Sequence, residues 1–232
     1  MILLFDIDGT LIRCGGAGRA ALEAAFLRAH GVAEALTEVR LDGSTDPVII
    51  DAAFQRHFGR RATPEERAAL MDDYLPELSR RLEAPASPYR VMAGVPELLA
   101  ALAAAGRAAL GLATGNDERG ARAKLEPAAL NVYFSFGGYG SDHPERPRLV
   151  EAAIHRGVDR LGRRPPREEI LVVGDTELDV QAAHAAGAQA VGVLAGASRP
   201  DVLIAARPEY VVESFADPRL WNLLGLGHPP GT

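Results

Sequence analysis

Short apolar runs alternate with longer amphipathic stretches along most of this chain. Continuous runs of Val, Ile and Leu are typical of strands that are buried on both faces. They predict strands at 2–7, 108–113, 170–174 and 189–194, with a weaker one at 209–212. Apolar residues at three- and four-residue spacing predict helices at 93–106, 117–130, 147–162 and 176–187. This alternation predicts an α/β fold, a doubly wound parallel sheet with helices on both faces.

One segment departs from the alternation. From residue 15 to 88 the pattern contains no buried strand, and it predicts helices over GRAALEAAFLRAHG, PVIIDAAFQRHFG and TPEERAALMDDYLPELSRRL. Thr63 and Glu66 have the spacing of a capping box at the start of the third helix. We therefore expect a core formed by 1–14 and 89–232, an all-helical insert at 15–88, and a C-terminal packing helix followed by a frayed tail, GHPPGT.

Composition narrows the class of partner. The chain has 232 residues, of which 47% are hydrophobic, and this is enough for a sizeable core. Its net charge of −6 argues against a general electrostatic grip on nucleic acid or on an anionic membrane. Cys14 is the only cysteine and has no internal disulfide partner, which favours a reducing compartment. We expect a cytoplasmic monomer or homodimer that acts on a small molecule.

Acidic and hydroxyl side chains follow three of the predicted strands. Asp6 and Asp8 end the first strand, Thr114-Gly115-Asn116 follows the second, and Asp175 with Asp179 follows the strand at 170–174. In an open parallel sheet, ligands bind outside the carboxyl ends of the strands, so these segments are expected to converge. Clustered carboxylates raise each other's pKa unless a cation neutralises them, and carboxylate oxygens suit Mg²⁺. The pattern predicts a Mg²⁺ site that leaves room for a phosphate group.

The motifs FDIDGTL, ATGN and VVGDTELDV, with a basic residue before the last, resemble those of the haloacid dehalogenase superfamily of phosphohydrolases. The helical insert after the first motif resembles the cap of subfamily I, and the general pattern is similar to phosphoglycolate-phosphatase-like members. The resemblance implies a Mg²⁺-dependent phosphatase for a small phosphorylated metabolite such as 2-phosphoglycolate. A phosphosugar mutase or phosphotransferase, and a non-catalytic phosphoryl-binding module, are the alternatives.

The resemblance also implies roles for the acids. Asp6 would attack phosphorus to form an aspartyl phosphate, and Asp8 would protonate the leaving oxygen and then activate water. The metal ligands would be Asp6, the main-chain carbonyl of Asp8 and Asp175, with Asp179 as a further partner of the metal. Candidates for binding the substrate are grouped around the phosphate and at the crossings to the insert: Gly9, Thr10, Thr114, Gly115 and Asn116, then Arg13 and Thr45.

The third motif departs from the family pattern, which has a lysine before a proline. The sequence here reads HPERPRLV, and Arg146, followed by Pro147, best matches the position of the cation. Arg148 competes with it, and the chain's single lysine, Lys124, is the third alternative. We expect Arg146 to be the catalytic cation and Lys124 to lie on a solvated helix face.

Overall fold

The computed structural model describes residues 1–230; Gly231 and Thr232, the end of the predicted tail, lie outside the described residues. Its strands, in chain order, are β1 (Ile2–Phe5), β2 (Ile12–Arg13), β3 (Arg90–Val91), β4 (Ala109–Thr114), β5 (Phe136–Tyr139), β6 (Ile170–Gly174), β7 (Gln189–Val193) and β8 (Tyr210–Val212). Six of them form one parallel sheet in the order β5-β4-β1-β6-β7-β8. The predicted α/β fold with a parallel sheet is confirmed.

Helices surround this sheet and also fill the segment between β2 and β3. Those of the insert are α1 (Ala17–His30), α2 (Asp46–Phe58) and α3 (Pro64–Leu82). Those of the core are α4 (Val95–Ala105), α5 (Glu118–Leu125), α6 (Arg146–Leu161), α7 (Glu177–Ala185), α8 (Pro200–Ala205) and α9 (Pro218–Leu223). Between residues 1 and 230, no helix is both long enough and apolar enough to cross a membrane.

Alternate residues of β1 belong to two different cores. Ile2 and Leu4 pack in the cluster that includes residues of α6 and α7. Leu3 and Phe5 belong to a larger cluster, which extends through α4 into the insert. All four side chains are buried, as expected for a central strand of a doubly wound sheet. Both faces of β1 are therefore covered at its carboxyl end, so the residues that follow the strand can be shielded from bulk water.

The helical insert, as we call α1 to α3, is tied to the core at several points. Helix α1 packs on α3, and α3 packs on α5 of the core. The predicted capping box at the start of α3 is present: the Glu66 amide donates to Thr63 Oγ1 (3.2 Å), and the Thr63 amide donates to the Glu66 carboxylate (2.8 Å). The two chain crossings, β2 and β3, pair as an antiparallel ribbon at the junction.

Strand β5 was not predicted from the sequence. Its sequence, FGGY, contains two glycines, which weaken the strand signal because they have no side chain to pack. The structure shows what they permit: a Cβ on Gly138 would lie 1.8 Å from the carbonyl oxygen of Leu149 in α6. The missing side chains thus allow α6 to pack directly on the backbone of β5. The predicted helix at 117–130 also ends early, at Leu125, before a turn that contains Pro127.

Candidate active site

The loop after β1 places two acids differently. Asp6 is buried, whereas the Asp8 side chain is 44% exposed, towards the cavity that it lines. Gly9 turns the chain with a φ of 84°, and a Cβ there would lie 2.2 Å from Asp175 Oδ2. Glycine is therefore required both for the positive φ and for the close approach of Asp175 to the loop.

The loop after β4 supports Asp8. Asn116 Nδ2 donates to Asp8 Oδ2 (2.9 Å) and to Thr114 Oγ1 (2.8 Å). Asn116 and Thr114 are both buried. A Cβ on Gly115 would lie 2.3 Å from the carbonyl oxygen of Ser44, in the loop between α1 and α2. Gly115 thus allows the helical insert to contact the core directly beside the site.

The loop after β6 and the first turn of α7 supply the other two predicted acids. Asp175 accepts a hydrogen bond from Thr10 Oγ1 (3.0 Å), and Asp179 accepts from the hydroxyl (2.6 Å) and amide (3.1 Å) of Thr176. These contacts belong to a capping box at the start of α7. The predicted convergence of the three loops is therefore present.

Arg146 lies between the carboxylates and the helical insert. Its Nη2 is 3.0 Å from Asp6 Oδ1, and Nη2 and Nε donate to Asp179 Oδ1 at 2.5 and 3.0 Å. Its Nη1 donates to the carbonyl oxygen of Gly43, at 2.9 Å. The side chain is only 8% exposed, and the guanidinium contacts two buried acids and the insert at the same time. Arg148, by contrast, is exposed and pairs with Glu151, so it is not part of the site.

Lys124 is in the site as well, which contradicts the prediction of a solvated helix face. Its Nζ is 2.6 Å from Asp8 Oδ2 and donates to Asn116 Oδ1 at 2.6 Å. The side chain is 8% exposed, and it lines the same cavity as Arg146. The short helix α5 carries Lys124 on the face towards the site, where a Cβ on Gly18 of α1 would lie 3.5 Å from Nζ. The site therefore contains two cations, one beside each early acid.

The pKa of the nucleophile candidate is raised. Burial raises the pKa of Asp6 to about 7 against the opposing charge of Arg146, and Asp179 and Asp8 add to the rise. Burial also raises the pKa of Asp175 to about 8, with Asp179 and Asp6 contributing. The single positive charge of Arg146 does not neutralise Asp6, Asp175 and Asp179 together, so this group of carboxylates favours the binding of a further cation.

The pKa of Asp8 moves the other way. Burial acts to raise it, but the Lys124 ammonium and hydrogen bonds from Lys124 and Asn116 outweigh burial and hold the pKa below its ordinary value. The two acids, one residue apart, thus have opposite proton affinities in the absence of a ligand. Different environments of this kind are what separates the roles of paired carboxylates in catalysis.

The acidic cluster fits a divalent metal. Asp6, Asp175 and Asp179 each offer a carboxylate oxygen, these oxygens all lie within 4.8 Å of one another, and all three residues are buried. Hard oxygen donors together with raised carboxyl pKa values suit a divalent cation. The Asp8 carboxylate is not in this group, and a contribution from the Asp8 main-chain carbonyl stays a prediction.

A cavity of about 470 Å³ joins the carboxylates to the helical insert. Its core lining includes the predicted residues Gly9, Arg13, Gly115 and Asn116, with the catalytic candidates. The insert contributes apolar and polar side chains to the opposite side: Leu22, Leu36, Ile49, Met71 and Tyr74, with Asp46 at the start of α2. The cavity is thus enclosed between two parts of the chain that are distant in sequence.

Two of the predicted binding residues do not line this cavity. Thr45 is buried and donates from Oγ1 to the carbonyl oxygen of Pro144 (2.8 Å), so it holds the insert on the core, and its predicted contact with substrate is wrong. The Thr10 side chain is also buried and is bound to Asp175. Asp46, which sequence reasoning missed, lines the cavity, and its carboxylate accepts from the Asp117 amide (2.7 Å). Its position before Pro47 indicated only a helix start.

Comparison with known proteins identifies the family. A model of the haloacid dehalogenase-like hydrolases matches residues 1–187. The chain belongs to the haloacid dehalogenase-like hydrolases. This match extends from the first motif to the end of α7 and so includes every loop that supplies the carboxylates.

Curated relatives of this haloacid dehalogenase-like hydrolase include phosphoglycolate phosphatases. That of Salmonella typhi is 37% identical over 140 residues, which cover 58% of this chain and 51% of the relative. The match thus spans about half the length of that relative. The phosphoglycolate phosphatase of Escherichia coli K12 is 29% identical over 247 residues, covering 97% of this chain and 92% of the relative.

Solved structures share the fold of this hydrolase. CbbY from Rhodobacter sphaeroides, solved in complex with phosphate, superposes with a TM-score of 0.69 at 22% identity, covering 93% of this chain and 94% of CbbY. A hydrolase from Pseudomonas syringae gives a TM-score of 0.70 at 22% identity, with coverage of 97% and 98%. At this identity the likeness establishes the fold.

Proposed function

We propose that this protein is an Mg²⁺-dependent phosphatase that hydrolyses a small phosphate monoester through an aspartyl phosphate on Asp6. The observation that carries the proposal is the pair of early acids in opposite surroundings, Asp6 among carboxylates beside Arg146 and Asp8 beside Lys124. Membership of a hydrolase family and the phosphoglycolate phosphatases among the relatives support the reaction class.

In the proposed mechanism, a carboxylate oxygen of Asp6 attacks phosphorus while the bond from phosphorus to the ester oxygen breaks. The leaving oxygen takes a proton from Asp8. Asp8 is ionised in the free site, but a phosphate dianion beside it raises its pKa, because a nearby like charge favours the protonated carboxyl. Asp8 therefore takes up a proton from solvent when the substrate binds, and passes it to the leaving oxygen in the first step. In the second step Asp8 accepts a proton from water, whose oxygen bonds to phosphorus while the bond from phosphorus to the Asp6 oxygen breaks, which releases inorganic phosphate and restores the Asp6 carboxylate.

The other residues of the site bind and orient. Lys124 and Asn116 hold the Asp8 carboxyl towards the cavity, and Arg146 stabilises negative charge around Asp6. Mg²⁺ would be held by Asp6, Asp175 and the main chain of Asp8, with Asp179 beside it. When bound, the metal would neutralise these acids and the phosphoryl oxygens.

The helical insert would act as a cap over the cavity, with domain limits at 15 and 88. Its contribution of one side of the cavity wall supports this role, because a cap excludes water from a reactive aspartyl phosphate. The substrate we propose is a small ester of the phosphoglycolate type, in keeping with the names of the relatives and with the size of the cavity.

The test is a panel of phosphate monoesters, including 2-phosphoglycolate and a generic aryl phosphate, assayed for release of inorganic phosphate with Mg²⁺ and with excess chelator. We expect release with Mg²⁺ and none with chelator. Full activity in chelator would contradict the metal assignment, and absence of phosphate release from every ester would contradict the phosphatase. Rearrangement of a phosphosugar without release of phosphate would indicate a mutase.

A further inference from the structure

Two arginines lie side by side where the helical insert joins the core. Arg13 of β2 and Arg90 of β3 are direct partners in the register of the two-stranded ribbon, and both line the cavity. Like charges directly opposite each other on neighbouring strands repel. Arg13 is half-buried and Arg90 is exposed, so water screens part of this repulsion, and a bound anion would relieve the rest.

Neither arginine has an acidic partner among the residues that the structure describes. Lys124 and Arg146, which are buried, pair with Asp8 and with Asp6 and Asp179, and the exposed Arg19 pairs with Glu23. For Arg13 and Arg90, residues 1–230 supply no carboxylate within ion-pair distance. The positive charge of the cavity is therefore compensated around the nucleophile and uncompensated at the ribbon.

Arg13 also has an unused donor. Its Nη2 donates to the carbonyl oxygen of Gly196 at 2.7 Å, which holds the guanidinium against the loop after β7. Its Nε is buried and has no hydrogen-bond partner among the described residues. A buried donor without an acceptor is costly, whereas an anionic acceptor would satisfy it with a charge-assisted hydrogen bond.

We propose that Arg13 and Arg90 bind a second anionic group, a carboxylate or another phosphate, on the leaving-group side of the substrate. This inference rests on the proposed phosphatase function and adds the residues that determine its specificity. Arginine suits the task because its planar fork matches both carboxylate and phosphate. Arg13 follows Asp8 by five residues, so the ribbon begins close to the reacting phosphoryl group without being part of its immediate surroundings.

The experiment compares three esters of similar size: 2-phosphoglycolate, which carries a carboxylate; ethylene glycol bisphosphate, which carries a second phosphate; and 2-hydroxyethyl phosphate, which carries a neutral hydroxyl. The ratio of kcat/KM between each anionic ester and the neutral one is measured for the wild type and for Arg13→Gln, Arg90→Gln, Arg90→Lys and the double Gln variant. Arg164→Gln, which removes an exposed charge away from the cavity, is the matched control.

We expect the wild type to favour at least one anionic ester by roughly tenfold or more, and the two ratios identify which anion is recognised. The double Gln variant should lose about tenfold in that ratio, mainly through a higher KM for the anionic ester. Arg90→Lys should keep more of the ratio than Arg90→Gln does, and Arg164→Gln should leave it unchanged. Equal kcat/KM for all three esters in the wild type, or an unchanged ratio in the double variant, would overturn the inference alone. Hydrolysis of no ester would remove the proposed function and this inference with it.

Discussion

The two halves of the site shift the pKa of a carboxyl group in opposite directions. Asp8 is paired with Lys124 and accepts a hydrogen bond from the Asn116 amide, and its pKa is held below the ordinary value. Asp6 shares one guanidinium with Asp179, and its pKa rises to about 7. Burial acts to raise both pKa values, and the outcome differs because Lys124 outweighs burial at Asp8 whereas Arg146, shared with Asp179, does not at Asp6. Among the described residues, the half with the weaker compensation is also the half whose acids could hold a metal ion.

The sharpest way to break the comparison is to neutralise each acid in turn. Asp6→Asn should lower kcat by at least about a thousandfold, since an amide of the same size does not attack phosphorus. Asp8→Asn should lower it by roughly 10² to 10⁴, the range for a lost general acid and base. Steady-state kinetics check both, with circular dichroism as the control for folding. Substantial turnover by Asp6→Asn would contradict the covalent mechanism.

The cations provide the next comparison. With Arg146 as the catalytic cation and Lys124 on a solvated helix face, as the sequence predicts, only Arg146→Ala would lower kcat strongly. In the structure both side chains are buried against acids, which changes the expectation for Lys124. Each substitution should now lower kcat by roughly a hundredfold, about 2 to 4 kcal/mol of transition-state stabilisation. Arg148→Ala, outside the site, serves as the matched control. Near-wild-type kinetics for Lys124→Ala would show that Asp8 does not need its cation.

The smallest effect concerns stability. In the metal-free protein Asp6 and Asp175 have pKa values of about 7 and 8, above the ordinary 3.8, so the folded state binds more protons than the unfolded one between about pH 4 and pH 8. Their contribution to the free energy of unfolding therefore falls as pH rises through this window.

At one fixed Mg²⁺ concentration, about a hundredfold above the Kd at pH 8, Mg²⁺ should raise Tm by roughly 5 °C or more at pH 8. The gain should be smaller at pH 5, because protons compete with the metal for Asp6 and Asp175. Thermal scans with and without Mg²⁺ measure this difference, and Asp175→Asn should reduce the gain. An equal gain at both pH values would contradict the assignment of these acids as the groups that the metal neutralises.

The regular part of the fold was predictable because strongly buried strands have a strong apolar signal. β1, β4, β6 and β7 lie within a residue or two of their predicted limits, and so do the three insert helices. β5 was not predicted because two of its four residues are glycines, which allow α6 to pack closely but do not form an apolar run. The ribbon of β2 and β3 is only two residues long on each strand, too short to leave any period in the sequence.

The site was predictable where its residues directly follow strands, and less so elsewhere. Asp6, Asp8, Asn116 and Asp175 are positioned by strand ends, so the order of the sheet brings them together. Lys124 reaches the site from within a helix, and the side that it presents depends on how α5 packs against α3. One signal was available: it is the single lysine in a chain whose other basic side chains, histidine apart, are all arginines.

The hydrogen bond from Arg146 to the carbonyl oxygen of Gly43 couples the position of a loop of the insert to the guanidinium beside Asp6. The loop that carries Gly43 lines the cavity, so opening of that side would break this bond and return Nη1 to water. The guanidinium beside Asp6 would then have its full set of partners only while the loop is in place. Binding energy that a substrate spends on seating the loop therefore also orders the charge around Asp6, and changes in a distant loop would be felt in the chemical step.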